Sequence, residues 1–518
     1  MKDKYELLKE VYGYESFRDG QEELIDKIMA GKELLAIMPT GSGKSICFQL
    51  PALMMGGITL VISPLISLMK DQVTALVASG IRAAFINSSL SERQMFLAMD
   101  NARRGVYKII YVAPERLLSE SFISFAESNV ISMVAIDEAH CISQWGQDFR
   151  PGYTKISDFV DAVEAISGKR PVVTAFTATA TERVMKDIVL QLKQKNPHIY
   201  KSGFDRENLY FEVYRPKNKP KALLHYLKER KNKTGIIYCA TRKNVDMVYD
   251  LLRDNKYTCA RYHAGMDDSE RKSSQEDFVY DRVKIMIATN AFGMGIDKSD
   301  VSFIIHYNMP KDIEGYYQEV GRAGRDGSYA ECILLYSAQD VKINEYIISN
   351  SERPETMDEK MEKMLKARDL ERLKLMTFYC HTKKCLRSYI LEYFGEKPKQ
   401  KCDFCGVCAP ERSCISVNIS AGKEDEHEIK SKIKTKTKKE IKADDQLFER
   451  LKTLRLSIAK NEKLPAFVIF SDASLQEMAA EQPTDKESLL KISGVGKVKY
   501  ERYGKAFKEE IINYKKQK

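Results

Sequence analysis

No apolar run in these 518 residues approaches the roughly 20 residues that a membrane-spanning helix needs. The opening Met1-Lys2-Asp3-Lys4-Tyr5-Glu6 is too charged for a secretion signal. Without such a signal, the eleven cysteines are expected as reduced thiols or metal ligands, not as a disulfide framework. Charge of one sign is also scarce. Lys and Arg number 83 against 73 Asp and Glu, and the resulting +10 is too mild to establish a nucleic-acid partner by itself. Tryptophan is almost lacking, since Trp145 is the only one. Hydrophobic residues make up 43%, enough for the three or four domains that this length implies.

What is present is strongly patterned. Leu34–Ile37 reads as a short buried strand, followed by Met38-Pro39-Thr40-Gly41-Ser42-Gly43-Lys44-Ser45 and a helix. Strand, glycine-rich turn and helix is the context of a phosphate-binding loop. Gly41 and Gly43 allow backbone N–H groups to close on phosphate oxygens, with Thr40 and Ser42 between and beside them. Lys44 is placed for the terminal phosphates of ATP and Ser45 for Mg²⁺. The strict pattern has Gly at position 38, where this chain has Met.

A second apolar run, 130–136, ends in Asp137-Glu138-Ala139-His140. Two acids at the carboxyl end of a buried strand can hold Mg²⁺ and polarise a water. The following residues carry Trp145, Phe149, Arg150 and Tyr153. With His140 they are candidate DNA contacts, because aromatic and cationic groups beside a nucleotide site suit a sensor of single strands. A hydrophobic loop packed into the core is the rival reading.

Residues 1–204 alternate apolar strands with polar helices, and residues 205–345 repeat the pattern. This predicts an α/β protein with two parallel-sheet lobes. Only the first has a phosphate loop. The second offers Gln318-Glu319-Val320-Gly321-Arg322-Ala323-Gly324-Arg325-Asp326-Gly327, whose arginines can reach a facing cleft and stabilise transferring phosphate. It also offers the small-residue stretch Ala288–Asp297. In residues 346–411, Cys402, Cys405 and Cys408 cluster, and Cys385 precedes them by sixteen intervening residues. Four thiolates at such spacing suit a closed tetrahedral Zn²⁺ site, with Cys380 and Cys414 as competitors. Residues 412–444 are charged and poor in apolar side chains, which predicts a flexible linker. Residues 445–518 resume helical periodicity, with Phe448, Leu451, Leu454 and Ile458 as a core face.

Taken in order, these motifs resemble superfamily 2 helicases, and among them the RecQ-like DNA helicases, over about residues 10–410 and 445–518. The resemblance implies two RecA-like lobes, a helical zinc-binding module and a C-terminal helical bundle of the HRDC type. It implies that Tyr14 stacks on adenine while Arg18 and Gln21 hydrogen-bond it. It makes Arg325 the arginine finger and Arg322 its partner, and it fixes Cys385 as the fourth zinc ligand through the Leu-Arg that follows it. It adds 63–72, 111–116, 177–180 and 262–266 as strand-contacting and coupling motifs. The activity implied is ATP-dependent 3′–5′ unwinding of DNA in repair or recombination, on single-stranded and branched or partly duplex substrates. The implied location is the cytoplasm and nucleoid of a bacterium or the nucleus of a eukaryote. An RNA helicase of the same superfamily, or an ATP-gated DNA-binding or annealing module, are the alternatives. One departure stands out: a winged-helix domain usually follows the zinc module, and only the short segment 412–444 is available for it.

Overall fold

The computed structural model describes residues 2–146, 149–290, 292, 298, 300–350, 359–414, 444–462 and 464–517. The Gly293–Asp297 part of the small-residue stretch and nearly all of the 412–444 linker fall outside these.

The first lobe is a seven-stranded parallel sheet. Its strands are β1 (Leu34–Ile37), β2 (Ile58–Ile62), β3 (Ala83–Ile86), β4 (Ile109–Val112), β5 (Ile131–Ile136), β6 (Val172–Thr177) and β7 (His198–Lys201), in the order β3-β4-β2-β5-β6-β1-β7. The central strands β1, β2 and β4 are buried along their whole length because helices cover both faces, which is why they read as continuous apolar runs. The order places β5, β6 and β1 side by side. Their carboxyl ends therefore present the acid pair, the Thr177–Ala180 segment and the phosphate loop next to one another. Ligands of open α/β sheets bind at that edge.

The second lobe is a six-stranded parallel sheet. β8 (Leu209–Tyr214), β9 (Gly235–Tyr238), β10 (Cys259–Tyr262), β11 (Ile285–Ala288), β12 (Phe303–His306) and β13 (Ala330–Leu335) lie in the order β10-β11-β9-β12-β13-β8. The edge strand β8 is covered by the cysteine-rich module: Gly406 N–H donates to the Phe211 carbonyl at 2.8 Å, and Phe211 pairs with Cys405. That module begins with the long helix Glu359–His381.

The C-terminal bundle has its own core, including Leu447, Leu451, Phe470, Leu475, Phe507 and Ile511. Its first helix, Asp445–Glu462, buries Leu447, Leu451, Arg455 and Ala459, so the buried stripe is rotated from the expected one. Phe448, Leu454 and Ile458 only flank it. Arg455 occupies a core position because Asp472 pairs with it at 2.5 Å and the Phe470 carbonyl accepts from it at 2.7 Å.

The bundle is seated on the first lobe. Gly494 N–H donates to the Gly13 carbonyl at 3.0 Å, and Arg502 reaches the Ala78 carbonyl at 3.5 Å. A β-carbon on Gly496 would stand 2.8 Å from the Glu10 carbonyl oxygen, so only glycine allows this approach. Gly496→Val is expected to lift the bundle away, seen as a larger radius of gyration in solution scattering with unchanged zinc content. An unchanged radius would refute the contact.

Candidate nucleotide cleft and zinc centre

The phosphate loop takes its shape from its glycines: Gly41 and Gly43 have φ of 86° and 84°, which other residues rarely adopt. Met38, where the strict pattern has Gly, is fully buried and donates its N–H to the Thr177 carbonyl at 2.9 Å. It belongs to the sheet and leaves the phosphate-facing turn to the residues after it. Lys44 opens the helix Lys44–Met54.

Arg18 donates to the Gly41 carbonyl at 2.6 Å, and Gln21 donates to the Gly43 carbonyl at 3.1 Å. The two residues expected on adenine thus also brace the phosphate loop. Tyr14, Arg18, Thr40, Gly41, Gly43, Lys44, Ser45, Asp137, Glu138, Gln318, Arg322 and Arg325 line one cleft of about 410 Å³ between the lobes. Phe467, Ser471, Ser474, Gly494 and Lys499 of the C-terminal bundle close one side. Burial pulls the pKa of Lys499 down to about 8.

The electrostatics of the acid pair are asymmetric. Burial, with help from neighbouring Glu138, pushes Asp137 up to about 7. Burial acts on Glu138 in the same sense, but Lys44, His140, Arg322 and Arg325 hold it below the usual carboxylate range. Two of those charges come from the second lobe. Glu138 also has a left-handed backbone, φ 47° and ψ 48°, uncommon for a residue with a side chain. A carboxyl raised by burial and by a neighbouring acid, in the same cleft as Ser45 and Lys44, fits a divalent cation, which would add positive charge there.

Across the cleft, a β-carbon on Gly41 would lie 3.6 Å from Arg325 Cα, so the two motifs are in contact distance. His140 Nδ1 is 2.9 Å from Thr177 Oγ1, which donates to the Thr179 carbonyl at 3.0 Å. Gln318 then donates to Thr179 Oγ1 at 3.3 Å. The acid motif is therefore joined through one threonine-rich turn to the helix Ile313–Val320, which leads into Arg322 and Arg325. Arg206, which the sequence reading missed, ties the two lobes directly. Its guanidinium donates to the Thr40 carbonyl at 2.8 Å and to the Ala323 and Gly324 carbonyls at 3.0 and 2.7 Å.

The five candidate DNA contacts divide. Trp145, Phe149 and Arg150 are half-buried. The Trp145 ring lies under the Arg183 guanidinium, 3.2 Å from its centroid, and Arg150 donates to the Pro64 carbonyl at 2.6 Å. Tyr153 is corrected: it is fully buried, and its hydroxyl donates to the Asp137 carbonyl at 2.9 Å. His140 is likewise buried on Thr177. Both are buried against the acid pair, Tyr153 on the Asp137 carbonyl and His140 with its Nδ1 3.4 Å from Glu138 Oε2.

The sulfurs of Cys385, Cys402, Cys405 and Cys408 all lie within 4.8 Å of one another, the only such metal-ligating group among the described residues. Backbone N–H groups of Ser388, Phe404 and Cys408 point at the sulfurs of Cys385, Cys402 and Cys405 at 3.5, 3.4 and 3.4 Å. Donors of this kind stabilise thiolate charge around a metal. Cys380 and Cys414, the competitors, stand outside the group. The donor set fits Zn²⁺. Arg387 fastens the centre to the chain between the lobes, through Asp205 at 2.5 Å and the Leu209 carbonyl at 2.6 Å.

Four family models match the chain in sequence: DEAD/DEAH box helicase over 18–188, helicase conserved C-terminal domain over 218–327, RecQ zinc-binding over 338–409 and HRDC domain over 444–511. The ATP-dependent DNA helicase RecQ of Bacillus subtilis (strain 168) is 39% identical over 592 residues, covering 98% of each chain. Because that alignment is longer than the 518 residues here, the relative carries segments without counterpart in this chain. The ATP-dependent DNA helicase RecQ of Pasteurella multocida (strain Pm70) is 35% identical, covering 99% of this chain and 94% of the relative. Among solved structures, helicase Lhr of Mycobacterium smegmatis bound to ssDNA and AMP-PNP superposes with a TM-score of 0.53 at 15% identity, covering 71% of this chain and 56% of that one. DEAD-box helicase Mss116 bound to ssRNA and UDP-BeF gives 0.54 at 16%, covering 72% and 86%. At those identities the structural likeness speaks for the two-lobed fold alone. With full-length relatives, four matched modules and a cysteine quartet in place, the chain belongs to the RecQ-type ATP-dependent DNA helicases, zinc-containing enzymes that use ATP and Mg²⁺.

Proposed function

We propose that ATP lies with its base on Tyr14 and its phosphates on residues 40–45, and that Glu138 orients the attacking water. Ser45 and Asp137 would hold Mg²⁺, which neutralises charge on the transferring phosphate. Gln318, Arg322 and Arg325 complete the site from the second lobe, and alternating closure moves the lobes 3′ to 5′ along a single strand. One observation carries this reading: Lys44, Asp137 and Glu138 of the first lobe and Gln318, Arg322 and Arg325 of the second line one cleft. A phosphate site whose cationic groups come from both lobes is complete only when they are together. The substrates proposed are single-stranded and branched or partly duplex DNA. Among the described residues no helix is long and apolar enough to cross a membrane. The proposed location is the cytoplasm and nucleoid in a bacterium, or the nucleus in a eukaryote.

The test compares ATPase stimulation by single-stranded DNA and RNA, and displacement from duplexes with 3′ or 5′ overhangs. Stimulation by DNA over RNA, with displacement from 3′ overhangs, is expected. The reverse nucleic-acid preference would favour the RNA-helicase alternative.

Trp145, Phe149 and Arg150 are proposed as the strand-sensing contacts. A base can stack on the Trp145 face that Arg183 covers only if that guanidinium moves aside. Single-stranded DNA is therefore expected to change tryptophan fluorescence, with no second indole to mask it. Trp145→Ala should cut DNA stimulation of turnover while DNA still binds. A folded Trp145→Ala protein with parental stimulation would exclude the sensor role.

A further inference from the structure

Arg372 lies midway along the helix Glu359–His381 of the zinc module, and its side chain is 12% exposed. Its Nη2 donates to the Trp145 carbonyl at 2.8 Å. The same nitrogen stands 3.1 Å from Glu314 Oε2. One turn earlier, Arg368 donates to the Gln144 carbonyl at 2.8 Å. The four-residue spacing puts both guanidiniums on one helix face, so that they hold consecutive carbonyls of the aromatic loop. Glu314 is in the first turn of the helix Ile313–Val320, one turn ahead of Gln318. A single guanidinium thus joins the aromatic loop of the first lobe, the zinc-module helix and the second-lobe helix that leads into Arg322 and Arg325.

The chemistry of the junction is specific. Glu314 is buried, and burial pushes its carboxyl up to about 6. Arg372 and Arg368 act against that shift, Asp312 adds to it, and the Tyr393 hydroxyl hydrogen-bonds the carboxylate. Without Arg372, a buried acid beside Asp312 loses its main compensating charge. The two N–H bonds of Nη2, fixed in the guanidinium plane, let one nitrogen serve a carbonyl and a carboxylate with defined geometry, which a lysine ammonium on a flexible stem does not.

We propose that Arg372 is a positioning residue that transmits occupancy of the aromatic loop by single-stranded DNA to the helix carrying Gln318, and so to Arg322 and Arg325. The proposal rests on reading that loop as the sensor. A strand that draws Trp145 from under Arg183 moves its carbonyl. The Trp145–Arg372 hydrogen bond then breaks or carries Arg372 along, and either outcome changes the hold on Glu314. The coupling runs both ways, so lobe closure that shifts Ile313–Val320 also shifts the loop.

The experiment measures DNA-free turnover, DNA-stimulated turnover, KM for ATP and Kd for an oligothymidylate. Zinc content and Tm are measured alongside. The full-length proteins are the parent, Arg372→Met, Arg372→Lys, Glu314→Gln and the Arg372→Met/Glu314→Gln double variant. Arg372→Met is expected to lower the stimulation ratio by about tenfold, within the range of typical allosteric couplings. DNA-free turnover, KM and zinc content should stay at parental values. Arg372→Lys should recover part of the loss. Glu314→Gln should reproduce it, and the double variant should add nothing. Parental stimulation in Arg372→Met overturns the proposal, as does an additive double variant. If Arg372→Met melts early or loses zinc, Arg372→Lys and Glu314→Gln decide the matter on the same ratio. Trp145→Ala separates the two levels. Retained stimulation there sinks the sensor reading, whereas loss there with retained stimulation in Arg372→Met sinks the relay alone.

Discussion

Arg325→Ala is expected to lower DNA-stimulated kcat by about 10³-fold or more, the scale on which an arginine finger acts in phosphoryl transfer. ATP affinity should change little. The separation follows from where the side chain comes from. Arg325 belongs to the lobe without a phosphate loop, yet its backbone stands against Gly41. Its charge, with that of Arg322, is among those that keep Glu138 ionised. Removing it takes positive charge from the transferring phosphate and takes away one of the charges that act against burial of Glu138, the acid proposed to orient water. Both effects act on the chemical step. The binding surface of Thr40 to Ser45 and the Tyr14 side of the cleft remain. Arg325→Lys should recover little, since an ammonium lacks the planar fork. Lys44→Ala should also abolish turnover, but with a larger loss of nucleotide affinity, because Lys44 lies within the phosphate loop. Stopped-flow nucleotide binding and steady-state turnover distinguish the two variants. An Arg325→Ala enzyme within tenfold of the parent would remove it from the catalytic site.

The parts of the site legible in the sequence are those that a few consecutive residues build. A phosphate loop needs one strand, one turn and one helix, all within residues 34–54. The acid pair needs one strand end, and three zinc ligands lie within seven residues of chain. The two parallel lobes were legible for the same reason: strands buried on both faces leave continuous apolar runs. The expected α/β architecture and the family are borne out.

What escaped the sequence joins distant segments. Arg206 meets Thr40, Arg372 meets Trp145 and Arg387 meets Asp205 across more than 150 residues each. An arginine in a polar stretch carries no local mark of its partner. Arg455 misled in the opposite sense, because hydrophobic periodicity counts it as surface while Asp472 makes a core position tolerable. Tyr153 shows the limit of residue type as a guide. An aromatic near a nucleotide site suits base stacking, but this one lies beneath Asp137. The turn 493–497 also joins distant segments: it gives the Gly494 N–H to the Gly13 carbonyl, almost the whole chain away, and seats the bundle beside the cleft.

Zinc removal should be as severe for the fold as Arg325→Ala is for turnover. The four sulfurs come from two separate stretches of a small module, and the metal closes it. Cys385 N-caps the helix Leu386–Tyr393, and the 402–408 turn supplies the remaining ligands. Losing the ion releases both ends. It leaves three or four thiols within 4.8 Å, where they are exposed to oxidation. The effect travels, because Gly406 pairs with the edge strand β8 and Arg387 holds the segment that carries Arg206. Cys385→Ser and Cys402→Ser are therefore expected to lose the metal, lower Tm and reduce DNA-stimulated turnover. Cys380→Ser and Cys414→Ser should keep one Zn²⁺ per chain. Elemental analysis of the purified folded proteins separates the two groups. Full zinc content in Cys385→Ser, or loss in Cys380→Ser, would show that the fourth ligand is a different cysteine.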